Sequence, residues 1–202
     1  MEIKQWIDQL ASSEPTPGGG GASALSGALA SALCDMVCNL TKGKKKYEMY
    51  EGDIFRISSQ CRIMTSRLYE LIQKDADAFA PLARAYKIPK DDPTRTKVME
   101  QALRDAATAP FEILQTLMPL PALLAELLEK GSQYAISDIG CAAVLCVGAA
   151  KSAQLNVFVN TNLMSDAKFA NDLVKRTQEA VSQIVAECNE IEFHMKEIYC
   201  YE

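Results

Sequence analysis

The segment that most restricts how this chain can fold is Glu14-Pro15-Thr16-Pro17-Gly18-Gly19-Gly20-Gly21. Proline fixes its own φ and crowds the residue before it, so the two prolines force an extended approach. The four glycines then free the backbone just where a helix is about to begin. That helix, expected from about Ala22 to Thr41, carries Ala22, Ala24, Gly27, Ala28, Ala30, Ser31 and Ala32 around nearly its whole circumference. Small residues on every side let neighbouring backbones come close, so the helix should occupy the middle of a bundle.

The rest of the chain carries helical spacing and almost no strand signal. No alternating Val/Ile/Thr/Tyr run bounded by Asn-Gly or Asp-Gly occurs, and the fold class is therefore all-α. A short opening helix holds Ile3, Trp6, Ile7 and Leu10. Further helices are expected over Ile54 to Tyr86 with a perturbation at Pro81, Lys97 to Met118, Ala122 to Glu129, Ile139 to about Asn156, and Asp166 to Tyr199. A turn at Ile88-Pro89-Lys90-Asp91-Asp92-Pro93 separates the Ile54–Tyr86 and Lys97–Met118 segments. No internal repeat or low-complexity linker divides residues 1–202, so they read as a single-domain multi-helix bundle.

Composition narrows the classes of function. A net charge of −5 is the wrong sign for tracking phosphates, so nucleic acid is not an expected partner. Seven cysteines, an odd number, with no secretory apolar region at the start, point to a reducing compartment and a cytoplasmic protein. Residues 17–34 lack charge but have only Leu25, Leu29 and Leu33 as large apolar groups, and Ile139–Ala150 is too short to span. Both are expected to be buried in protein, with no membrane.

Several residues are candidates for chemistry. Gly18, Gly19, Gly20 and Gly21 leave unpaired backbone N–H groups at a helix start, suited to negative charge or a carbonyl oxygen, and let a flat ring approach. Lys44, Lys45 and Lys46 complement the negative end of the helix dipole and are also point charges able to hold carboxylates. Ser137 and Asp138 precede an apolar helix, where Asp138 is expected as an N-cap, and Asn156 is placed at the end of that helix. His194 is the only histidine and has only Glu190 at ligand spacing, while Cys34 and Cys38 sit in an apolar helix, so no metal site is expected.

Four motifs in order are more specific than any one of them. These are Pro15-Thr16-Pro17-Gly18-Gly19-Gly20 opening a small-residue helix, Leu40-Thr41-Lys42-Gly43-Lys44-Lys45-Lys46-Tyr47-Glu48 closing it, Asp75-Ala76-Asp77-Ala78-Phe79, and Ser137-Asp138-Ile139-Gly140 followed by Asn156-Val157. Over about residues 5 to 175 the chain resembles the cyclodeaminase domain of formiminotransferase-cyclodeaminase and its free-standing bacterial relatives, including methenyltetrahydrofolate cyclohydrolases.

The resemblance implies an all-helical homodimer working on the N5/N10 bridge of a tetrahydrofolate, with no cofactor beyond that substrate. It implies closure of 5-formiminotetrahydrofolate with loss of ammonia, or hydrolysis of the 5,10-methenyl bridge. It also implies an acid/base aspartate, matched to Asp75 with Asp77 in reserve. Asp138 then holds the pterin or balances the cationic bridge, Asn156 supports the pocket, and Lys44–Lys46 take the glutamate tail, which can be polyglutamylated.

Two other readings fit parts of the sequence. A non-catalytic helical interaction module would use the Ala-rich faces for dimerisation. A small-molecule kinase would use the Gly-rich segment as a phosphate loop, but that architecture needs strands, and Gly-Lys-Ser/Thr does not follow the glycines.

Overall fold

A computed structural model of the chain describes residues 2–199, and among them there are helices and turns but no strand. Seven α-helices follow one another: α1 (Ile3–Leu10), α2 (Gly19–Thr41), α3 (Glu51–Ala85), α4 (Arg95–Leu117), α5 (Leu120–Lys130), α6 (Ile136–Thr161) and α7 (Ala167–Tyr199). Short 3₁₀ turns at Lys45–Tyr50 and Gln133–Ala135 lead into α3 and α6.

Helix α2 packs most extensively on α3 and α6, α6 also lies against α7, and α4 lies across α3 and α6 from behind. The small residues of α2 make this possible. A Cβ on Gly27 would come within 3.0 Å of Leu117 and 3.3 Å of Leu68, so α3 and α4 close on α2 at the backbone. The core this builds runs through Leu68, Leu71, Ile113, Leu114, Leu124, Ile139 and Ile184, all fully buried or nearly so. Burying each such side chain contributes about 1.5–3 kcal/mol, which is why packing rather than propensity holds the helices.

Three expectations are corrected. First, α2 starts at Gly19, not Ala22: Gly18 is the extended N-cap, and Gly19, Gly20 and Gly21 form the first turn. Glycine costs a helix about 1 kcal/mol per residue, but Asp75 leaves no room for a side chain on Gly20 and Asn156 leaves little on Gly19.

Second, Asp138 does not cap α6. The helix begins at Ile136 after the 3₁₀ turn, which puts Ser137 and Asp138 inside its first turn, and it runs one turn past Asn156 to Thr161. Third, α2 is not enclosed on all sides: Leu29, Ala32, Met36 and Leu40, spaced three or four apart, are exposed along one stripe. A matching stripe on α6 exposes Cys141, Val144, Gly148, Leu155 and Val159, interrupted by Lys151.

Helix α3 passes through Pro81 without stopping, and α4 through Pro110. Beyond Pro81, Leu82 and Ala85 lock against Ala102, Leu103 and Ala106 in a small second cluster, which holds the last turn of α3 in line. By length and composition alone, three helical segments could cross a membrane; in the one containing α6, only 39% of the most apolar window is buried, so that helix leaves an apolar face uncovered.

Candidate active site

The first turn of α2 meets α3 and α6 at one end of the bundle. Asp75 of α3 is half-buried there, and its Oδ2 accepts the Gly21 N–H at 3.1 Å. Its carboxylate occupies the space a side chain on Gly20 would need: a Cβ on Gly20 would lie 2.0 Å from Oδ1 and 2.4 Å from Cγ. Asn156 of α6 closes the opposite side, with its amide 3.0–3.2 Å from where a Cβ on Gly19 would stand. The Nδ2 of Asn156 donates to the Ser152 carbonyl at 2.9 Å, which fixes the amide plane. Trp6 of α1 is buried 3.6 Å from the position of a Cβ on Gly21 and pins the turn from behind.

The electrostatics of this corner concern Asp75. Burial pushes its carboxyl pKa above the ordinary value, and the Gly21 N–H, which favours the charged form, only partly opposes that. Lys74, the neighbour that could have neutralised it, instead pairs with Glu112 at 2.5 Å. Among the described residues no cation pairs with this carboxyl, which is held at a helix N-terminus and is able to take up and release a proton nearer neutrality than an exposed aspartate. Asp77, two residues on, points away: it is exposed and accepts Gln73 Nε2 at 2.9 Å.

The other residues singled out by sequence lie elsewhere. Lys44, Lys45 and Lys46 follow the far end of α2, about 30 Å from the glycine turn by helical rise. There Lys44 Nζ donates to Ser132 Oγ at 3.3 Å and lies 5.9 Å from the Tyr134 ring, and Lys46 lies over Tyr47. A cavity of about 260 Å³ opens among Lys42, Lys44, Lys45, Tyr47 and Glu51. Ser137 (exposed) and Asp138 (half-buried) start α6 at this same end, about 27 Å along the helix from Asn156. Within one chain, then, Gly18–Gly21, Asp75 and Asn156 form one group, and Lys44–Lys46, Ser137 and Asp138 form another at the opposite end.

Cys34 and Cys38 are buried in the core; burial, with Cys61 close by, pushes the Cys38 thiol up to about 12, and the Cys61 thiol together with burial holds the Cys34 thiol well above its usual range. His194 is half-exposed on α7, 3.6 Å from Glu197 rather than paired with Glu190. Two features of the site were not anticipated. Trp6 backs the glycine turn, and Asn160 Nδ2 ties α6 to α4 through the Ala106 carbonyl at 3.2 Å while also donating to the Asn156 carbonyl at 2.9 Å. The i, i+4 repeat of asparagine at positions 156 and 160 was the available signal for Asn160.

An all-helical bundle with a raised-pKa carboxyl seated on a glycine helix start is an arrangement that can take up and release protons. The comparisons make the class specific: the formiminotransferase-cyclodeaminase family model matches residues 2–179, and the chain belongs to that family. It is 36% identical over 185 residues to a methenyltetrahydrofolate cyclohydrolase of Methylorubrum extorquens, covering 90% of this chain and 89% of that protein. It is 28% identical to the formimidoyltransferase-cyclodeaminase of Rattus norvegicus over 92% of its own length, but spans only 34% of that longer protein. The crystal structure of a formiminotetrahydrofolate cyclodeaminase from Thermotoga maritima superposes with a TM-score of 0.84 at 28% identity, covering 96% of this chain and 97% of that one.

Proposed function

We propose that this protein is a folate one-carbon enzyme acting on the N5/N10 bridge of tetrahydrofolate, with Asp75 as its general acid and base. The observation that carries the reading is the carboxyl of Asp75 packed into the space Gly20 leaves, without a cation partner among the described residues. The names of the relatives supply the substrate class.

In the cyclodeaminase direction N10 attacks the formimino carbon and gives up its proton. The carbon becomes tetrahedral, and its C–NH₂ bond breaks as the nitrogen receives a proton and leaves as ammonia. In the cyclohydrolase direction water adds to the methenyl carbon and loses a proton, and the C–N5 bond then breaks to give the 10-formyl product. Each direction needs one group to take a proton early and return it to a nitrogen later, which a carboxyl tuned toward neutrality does. The free N–H groups of the first turn of α2 favour electron-rich atoms that form on the way.

The working unit in this proposal is a homodimer. The exposed apolar stripes of α2 and α6 favour a second copy as their cover. If that copy lies antiparallel, its Lys44–Lys46, Ser137 and Asp138 come to the Asp75 end of the first, so that Asp138 reaches the pterin edge. Charge placed on the stripe by Val144→Asp with Leu155→Asp is expected to halve the mass seen by light scattering and to abolish turnover. Mixing Asp75→Asn with Asp138→Ala chains is expected to restore activity that neither has alone. A wild-type monomer with full turnover would exclude the shared site.

The function itself is tested by supplying wild-type protein with 5-formiminotetrahydrofolate and, separately, 5,10-methenyltetrahydrofolate, and following the methenyl absorbance. Turnover of at least one is expected. Inertness toward both, with folate still bound, would leave a non-catalytic binding module as the better reading.

A further inference from the structure

The turn between α3 and α4 builds a polar cavity at the same end of the bundle as Asp75. It measures about 330 Å³ and is lined by Lys90, Arg95, Thr96 and Ser165 over an apolar floor of Met99, Leu103 and Leu163. The remaining wall residue, Glu100, is already occupied: Arg104 Nε donates to it at 3.2 Å and the Ser165 N–H at 2.6 Å. No ion pair joins Lys90 or Arg95 to a carboxylate among the described residues. Arg95 is nonetheless held in place, because its guanidinium donates to the carbonyls of Tyr86 and Ile88. From Arg84 to Lys97 the turn carries five cations against Asp91 and Asp92, and Asp92 is spent on the Thr94 N–H and hydroxyl. Of these cations Lys90 and Arg95 line the cavity, whose one carboxylate, Glu100, is already engaged.

Position decides what the cavity is for. Leu163, in its wall, lies about 10 Å along the helical path from Asn156, and the last turn of α3 lies about 15 Å from Asp75. In a folate whose N5/N10 bridge sits at Asp75, bond lengths put the glutamate carboxylates about 10 Å from N10, across the benzoyl ring and one amide. Lys44–Lys46 of the same chain are about 30 Å away, beyond that reach.

We infer that the cavity formed by Lys90, Arg95 and Thr96 is a carboxylate subsite that binds the first glutamate of the folate substrate within the same chain as Asp75. The inference rests on the function proposed above. Lysine and a fixed guanidinium supply the charge, Thr96 a hydroxyl, and the Met99/Leu103/Leu163 floor accepts the side-chain methylenes of the glutamate.

The test compares 5,10-methenyltetrahydrofolate with the corresponding tetrahydropteroate, which lacks the glutamate, on wild-type and Lys90→Glu protein. Lys90 is exposed and makes no contact the fold depends on, whereas Arg95 braces the turn, so Lys90 is the safer position to change. Lys90→Glu is expected to raise KM for the glutamylated substrate at least tenfold with kcat within about twofold, the loss expected for a charge-assisted contact made equally in ground and transition states. KM for the pteroate should not move. A KM change shared by both substrates, or one produced by Lys44→Ala and not by Lys90→Glu, would overturn the subsite while leaving the proposed function standing. Absence of wild-type turnover on either substrate would instead remove the function, and the subsite with it.

Discussion

Asp75→Asn is expected to lower turnover of the preferred folate substrate by a hundredfold or more, the usual scale for loss of a general acid/base, without weakening the fold. The two halves of that result have one cause. The carboxyl is half-buried and, among the described residues, has no cation beside it, so burial disfavours its charged form and raises its pKa. A group whose folded-state pKa lies above its unfolded value contributes stability below the unfolded value, and that stability is lost as pH rises through the folded one. The wild-type protein should therefore lose stability just above the ordinary carboxylate range, and Asp75→Asn, neutral throughout, should flatten that part of the profile. Asn can still accept the Gly21 N–H through its Oδ1, so the turn keeps its hydrogen bond.

Kinetics carry the same signature. The acid limb of kcat/KM should fall above the range of an exposed aspartate and disappear into the residual activity of Asp75→Asn. Asp77→Asn is the companion measurement: that side chain is exposed and engaged with Gln73 alone, so its loss should leave the limb in place. A variant at Asp75 with full activity would take the proton-transfer role away from it.

The fold was readable in the sequence because helical periodicity and the small residues of α2 are local properties that survive into the packed molecule. The glycine turn was readable as special for the same reason, but its boundary was not. Glycine is needed at positions 19 and 20 of this first turn because Asn156 and Asp75, at distant points in the chain, crowd the space where side chains would be. The motif residues also did not reveal that they divide between two ends of the bundle. The lysines after α2 and the aspartate of α6 join the glycines in one candidate site when read from the sequence, yet helix length alone separates them by about 30 Å within one chain. The sequence does not separate the exposed stripes on α2 and α6 from the core, because Ala, Val and Leu look the same whether the surface that covers them belongs to this chain or to a second one. Lys90 and Arg95 read as residues of a turn, since only the tertiary fold shows a cavity with its single carboxylate already occupied.

Gly20→Ala should produce the other large loss, and by a route that separates space from flexibility. An added Cβ at 2.0 Å from Asp75 Oδ1 cannot coexist with the carboxylate in its present place. What yields is the end of a short side chain rather than backbone, so the strain, about 1–3 kcal/mol for overpacking in general, is relieved by swinging Asp75 away. The gain of up to about 1 kcal/mol from replacing a helical glycine offsets much of the remainder. Stability is therefore expected to change little while kcat falls about a hundredfold, as though Asp75 itself had been removed. The double variant Gly20→Ala/Asp75→Asn should be no worse than either alone, since the two act on one group. Gly21→Ala supplies the comparison, because a Cβ there would meet Pro17, Trp6 and Ile72 at ordinary distances of 3.6–3.8 Å and should cost clearly less activity. Equal losses at the two positions would mean that the glycines serve the mobility of the turn, and that the room Gly20 leaves for the carboxylate is incidental.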